Sequence, residues 1–174
     1  MQNKKPHGQD LRKGRVSLTG QIYLVTSVTL KRKPIFADYQ LGRVLINVMR
    51  EYADKCHVKS LAFVVMPDHF HWLFSLIGEC SLSQLIGQVK GATAYQIGQR
   101  ISPCGSGINR ESSSRDKRIW QKGFHDRALR RDEDIRAVAR YMVMNPVRAR
   151  IVTRIWDYPL WDAVWVDHSG FEPS

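Results

Sequence analysis

Ser60-Leu61-Ala62-Phe63-Val64-Val65-Met66 and His69-Phe70-His71-Trp72-Leu73-Phe74-Ser75-Leu76, with only Pro67-Asp68 between them, decide the fold. Both runs read as strands, and a two-residue link is too short for a crossover, so they predict an antiparallel hairpin. Strand alternation then sorts the second run: Phe70, Trp72 and Phe74 share one face, suited to a core, while His69 and His71 share the other. Two neutral imidazoles side by side are half of a divalent-metal site. A bare His-x-His more often marks two half-buried histidines hydrogen-bonded to neighbours, so the rest of the chain has to supply the chemistry.

Outward from the hairpin, Gln21 to Leu30 is rich in β-branched residues and predicts a first strand, closed by Pro34. From Ala37 to about Cys56, Leu41, Val44, Leu45, Val48, Met49 and Tyr52 recur at helical steps. Ser81 can cap a second helix that carries Leu82, Leu85, Val89 and Ala92 toward Ile101. Ile119 to Leu129 supplies a further strand. Strand, helix, strand, strand, helix, strand is the ferredoxin-like order, an α+β two-layer sandwich whose antiparallel sheet has helices on one face. A last helix starts near Asp132-Glu133-Asp134 and stops at Asn145-Pro146, placed near the other face.

The 174 residues accommodate one domain with a core. The expected division is a basic flexible arm at 1–17, the folded domain at 18–165 and a tail at 166–174, with Ser102 to Asp116 as a long exposed loop and Trp156, Trp161 and Trp165 packing. No apolar stretch is long enough to span a membrane and the N-terminus is too polar for a secretory signal, so a soluble cytoplasmic protein is expected. Cys56, Cys80 and Cys104 are odd in number and far apart, which indicates neither a disulfide framework nor a structural zinc site.

Lys and Arg number 27 against 16 Asp and Glu, a net charge of +11. Residues 1–33 hold eight of these bases against one acid, Asp10, and a second concentration runs from Arg115 to Arg154. Such an excess points to a polyanionic partner, nucleic acid before a merely solvated basic surface. In the last helix, Ile135, Val138, Ala139 and Met142 form an apolar stripe. At about 100° per residue Tyr141 falls well off it, and Asn145 follows one turn later. By themselves these are an amphipathic tyrosine and a helix-ending amide. Beside a histidine pair and a basic surface they acquire a chemical meaning, because a phenol becomes a useful nucleophile toward a phosphodiester when a metal polarises the phosphate.

Four blocks carry a resemblance that His-x-His alone does not. They are Gly20-Gln21-Ile22-Tyr23-Leu24-Val25-Thr26; Val65-Met66-Pro67-Asp68-His69-Phe70-His71-Trp72-Leu73; Trp120-Gln121-Lys122-Gly123-Phe124-His125-Asp126-Arg127-Ala128-Leu129-Arg130; and Ala139-Arg140-Tyr141-Met142-Val143-Met144-Asn145-Pro146-Val147-Arg148-Ala149. In this order, over about residues 18–165, the chain resembles the REP-associated tyrosine transposases, a bacterial branch of the single-tyrosine HUH transposases.

The resemblance implies a metal-dependent enzyme that cleaves and rejoins single-stranded DNA at repeat-associated hairpins through a 5′-phosphotyrosine. His69 and His71 would hold Mg²⁺ or Mn²⁺, Tyr141 would attack, and Asn145 would be the third ligand, with His125 and water as alternatives. Arg127, Arg130, Arg131, Arg140 and Arg148 are the expected DNA contacts. A monomer or a homodimer fits, with Tyr141 acting in cis or in trans. Other readings are a non-cleaving DNA-binding protein of the same fold that organises or regulates repeats, and a relaxase or replication initiator, for which the chain is small. The family commonly has Gly where this chain has Arg150, and the Ser102 to Asp116 loop is longer than its pattern.

Overall fold

The computed structural model describes residues 20–101 and 118–165. The expected arm, the Ser102 to Asp116 loop with Cys104, and the 166–174 tail lie outside the described residues. Among the described residues, nine strands and α-helices follow in chain order: β1 (Ile22–Val28), α1 (Tyr39–Lys55), β2 (Val58–Met66), β3 (His69–Leu76), α2 (Leu82–Ile101), β4 (His125–Ala128), α3 (Ile135–Val143), α4 (Asn145–Arg148) and β5 (Trp161–Ala163).

The sheet runs β4-β1-β3-β2-β5, antiparallel throughout, so its first four strands have the ferredoxin-like order. β2 and β3 form the hairpin, Met66 pairing with His69 across Pro67-Asp68. Phe70, Trp72 and Phe74 are fully enclosed, each contributing about 2–3 kcal/mol by leaving water. Trp72 buries its polar atom without penalty because Nε1 donates to Ser60 Oγ at 2.9 Å.

Helix starts follow the sequence. Asp38 accepts from the Gln40 and Leu41 amides at the head of α1. At α2, Ser81 Oγ accepts from the Gln84 amide while Gln84 Oε1 accepts from the Ser81 amide, a reciprocal capping box. α1 and α2 pack on each other and α1 on β2, and both bury their apolar residues in one core with the sheet. The histidine face is covered elsewhere: Ala62, Val64 and Leu73, which share it by register, are buried, and α3 packs on β2 and β5.

Three details differ from expectation. The strand expected from Ile119 to Leu129 is ladder only at His125–Ala128. Trp120 makes an isolated bridge to Thr29, and Gly123 turns at φ 76°, which breaks the run between them. Pro146 does not end the helical path: it lies in the first turn of α4, where its missing N–H costs nothing. Cys56 and Cys80, distant in sequence, meet as free thiols with sulfurs 2.7 Å apart, joining the end of α1 to the approach to α2.

Candidate active site

On β3, His69 and His71 point away from the Phe70, Trp72 and Phe74 core. Register sets Thr26 of β1 and Val64 of β2 on either side of His71. Thr26 Oγ1 lies 2.7 Å from His71 Nδ1; with Nδ1–H donating to that oxygen, the lone pair of the ring is on Nε2. Asp68, in the hairpin turn, does the same for His69, whose Nδ1–H donates to Oδ1 at 2.5 Å. The other Asp68 oxygen accepts from Arg32 Nη1 at 2.9 Å. The two imidazoles stand edge to face, centroids 4.9 Å apart.

The loop carrying Arg32 is bent sharply, with Lys31 and Arg32 at φ 56° and 52°, a region costly for residues with a Cβ. Thr29 secures the bend: its hydroxyl lies 2.8 Å from the Lys33 carbonyl and 2.9 Å from that of Asp68, and can donate to either. Strain of this kind persists only where surrounding bonds hold it, and here it delivers a cation to the carboxylate behind His69.

The electrostatics favour a neutral, ligand-ready ring at His71. Burial, joined by the charges of His69 and Arg148, holds His71 down at about 4. Burial raises the Asp68 carboxyl, but hydrogen bonds from His69 and Arg32 outweigh it, so the group lies below the ordinary carboxylate value.

The other half of the site comes from α3. Asp134 caps it by accepting from the Arg136 and Ala137 amides, and Ala139, Met142 and Val143 face the core. Tyr141 is left 69% exposed. Met144, at φ −72° and ψ 4°, links α3 to α4 with little change of path, so Tyr141, Asn145 and Arg148 follow one face at i, i+4 and i+7. The Arg148 guanidinium carbon lies 3.6 Å from the Tyr141 ring centroid, and Arg148 Nη2 donates to Asn145 Oδ1.

Among the described residues no group of three His, Cys, Asp or Glu is gathered for a metal. Two imidazoles with outward Nε2 atoms nevertheless fit a divalent ion, provided its further ligands are oxygens of another kind. Asn145 has such an oxygen, held here by Arg148. His125 sits opposite Thr26 on β4, in the same cross-sheet row as His71 but two strands away, about 10 Å, beside the pair rather than in it.

The basic residues divide. Arg127 shares the histidine face by its register with Leu24 and pairs with Glu133. The second Glu133 oxygen accepts from the Arg130 amide at 3.2 Å. Arg130 and Arg131 are exposed in the turn between β4 and α3, and Arg140 is half-buried next to Tyr141. Sequence reasoning missed Thr26, Asp68 and Arg32 as supports of the histidines. Asp68 and Thr26 stood inside quoted blocks, but only strand register and turn geometry pair them with a ring.

A family model described as "Transposase IS200 like" matches residues 17–145, a span that includes both histidines, Tyr141 and Asn145. A REP-associated tyrosine transposase of Escherichia coli is 29% identical over 124 residues, 70% of this chain and 62% of that protein. A Haemophilus influenzae protein assigned to the same group is 27% identical over 146 residues, 80% of this chain and 78% of that one. Among solved structures, a REP-associated tyrosine transposase bound to a REP hairpin superposes with a TM-score of 0.67 at 22% identity, covering 84% of this chain and 79% of that one.

Proposed function

Because the chain belongs to the IS200-like transposase family, we propose that it cuts and rejoins single-stranded DNA beside repeat-associated hairpins, with Tyr141 as nucleophile and a divalent metal on His69 and His71. The observation that carries this reading is the occupation of both Nδ1 positions, by Asp68 and by Thr26, which leaves two Nε2 lone pairs beside a helix face bearing an exposed tyrosine. Mg²⁺ or Mn²⁺ held there supplies Lewis-acid polarisation of a phosphate oxygen.

The chain's own groups do the rest. The Tyr141 hydroxyl forms the new bond to phosphorus as the bond from phosphorus to the 3′ oxygen breaks, so the 5′ phosphate stays on the tyrosine and a 3′-OH departs. The reverse attack by a 3′-OH rejoins the strand. Cations on the same side, Arg148 first, offset the phosphate charge as it develops. The net charge of +11 suits a folded single strand as partner. Among the described residues no helix is long and apolar enough to cross a membrane, in keeping with an enzyme that works on DNA in the cytoplasm. The seating of α3 on its own chain's sheet supports a reading in which Tyr141 acts in cis.

Cleavage of a labelled hairpin oligonucleotide in Mn²⁺ tests the reading. Wild type cuts, chelation stops the cut, and His71→Ala, its fold checked by circular dichroism, loses about 100-fold or more in rate. Tight hairpin binding by wild type with no cut in any divalent metal would instead identify a non-cleaving DNA-binding protein.

A further inference from the structure

One cation joins the parts that the proposed reaction needs separately. Arg148 lies with its plane near the ring of Tyr141 and donates to the amide oxygen of Asn145. Its charge also reaches His71. While it stays there, one of the two lone pairs of the Asn145 oxygen is taken, a fixed positive charge stands beside that oxygen against an approaching divalent ion, and the tyrosine ring is covered. A guanidinium has a stronger partner than a neutral carboxamide: a phosphodiester offers two anionic oxygens that match its planar fork.

We propose that Arg148 is a latch released by DNA: without a strand it holds Asn145 Oδ1 and covers Tyr141, and the arriving scissile phosphate draws its fork away from both. Release frees Asn145 for the divalent ion and Tyr141 for attack, so the site completes itself only on substrate. This rests on the reading above, in which the histidines hold the metal and Tyr141 attacks. It assigns Arg148 two consecutive roles, restraint before binding and a grip on the reacting phosphate after it. Arg148 is exposed, so its replacement leaves the core intact.

Calorimetric titration of Mn²⁺ into the full-length, DNA-free protein tests the restraint. Arg148→Met keeps the aliphatic stem and loses the donor, and it binds Mn²⁺ about tenfold more tightly than wild type, the scale of one hydrogen bond to a charged group. Adding Asn145→Ala to Arg148→Met cancels the gain, because the liberated oxygen is then gone. Hairpin cleavage tests the grip. In Arg148→Met, kcat falls about 100-fold while KM moves less than about threefold, since one phosphate contact among many sets little of the affinity. Arg148→Lys, with charge but no fork, recovers part of kcat.

Equal Mn²⁺ affinity in wild type and Arg148→Met overturns the latch, as does an unchanged kcat, and either leaves the metal and tyrosine assignments standing. Failure of every one of these chains to bind Mn²⁺, even with excess hairpin present, removes the metal reading and the latch together.

Discussion

At His69 the metal reading depends as much on what lies behind the ring as on the ring itself. Arg32 fixes Asp68, Asp68 fixes Nδ1 of His69, and the lone pair on Nε2 follows from both. A carboxylate in that position orients the imidazole and fixes its tautomer. Asp68→Ala therefore weakens Mn²⁺ binding about 10- to 100-fold, measured by titration with hairpin DNA bound to a Tyr141→Phe background so that no turnover intervenes. An affinity equal to that of the Asp68 parent would show that the carboxylate plays no such part. The histidine pair itself was legible from strand alternation, because the side-chain period of two needs no tertiary information. Its supports were not: Thr26 is 45 residues from His71 in the chain, and only register joins them.

At the scale of elements, the path from α3 through α4 arranges the tyrosine side of the site. The apolar stripe and the acidic start of α3 were readable, and Ala139 and Met142 are buried as that stripe requires while Ile135 and Val138 are half-buried. Its end was not readable, because proline stops a helix from within but suits the first turn of a new one. α4 ends at Arg148, with Ala149 as its cap, and Arg150 follows at φ 57°. That is the left-handed position after a helix which glycine occupies without penalty, and it is where the family resemblance implies glycine. Arg150→Gly should accordingly stabilise the chain by about 1 kcal/mol, the cost of a Cβ in this region less the extra freedom glycine gives the unfolded state. Urea unfolding measures it as a higher midpoint at unchanged slope. A lower midpoint would mean that the Arg150 side chain makes interactions worth more than the strain. β5, three residues on the sheet edge, carries too little pattern to be read in advance, and β4 is short because Gly123 interrupts the run before it.

Across the whole molecule, the ferredoxin-like sheet order brings together residues that the sequence keeps more than 60 positions apart. β3 contributes the histidines at the centre of the sheet, between β1 and β2, and α3 crosses the same face with Tyr141. Strand and helix types, the hairpin and the burial of Phe70, Trp72 and Phe74 were legible because each is a local consequence of periodicity or of a short link. The meeting of Arg148 with Tyr141 and Asn145 was not, since its spacing admits the contact without requiring it and an arginine in so basic a chain points first to DNA. The excess of positive charge was plain from composition, yet it spreads over elements that do different work: Arg127 is tied to Glu133, Arg32 serves Asp68, and Arg148 covers the tyrosine.

In the proposed reaction Tyr141 becomes bonded to DNA. A hairpin oligonucleotide labelled at its 3′ end, incubated with the wild-type chain and Mn²⁺ and run under denaturing conditions, reads this directly. The predicted result is label migrating with the protein, mapped by peptide mass to Tyr141 and absent from Tyr141→Phe. A labelled adduct of equal yield in Tyr141→Phe, or one mapped to another residue, would contradict it.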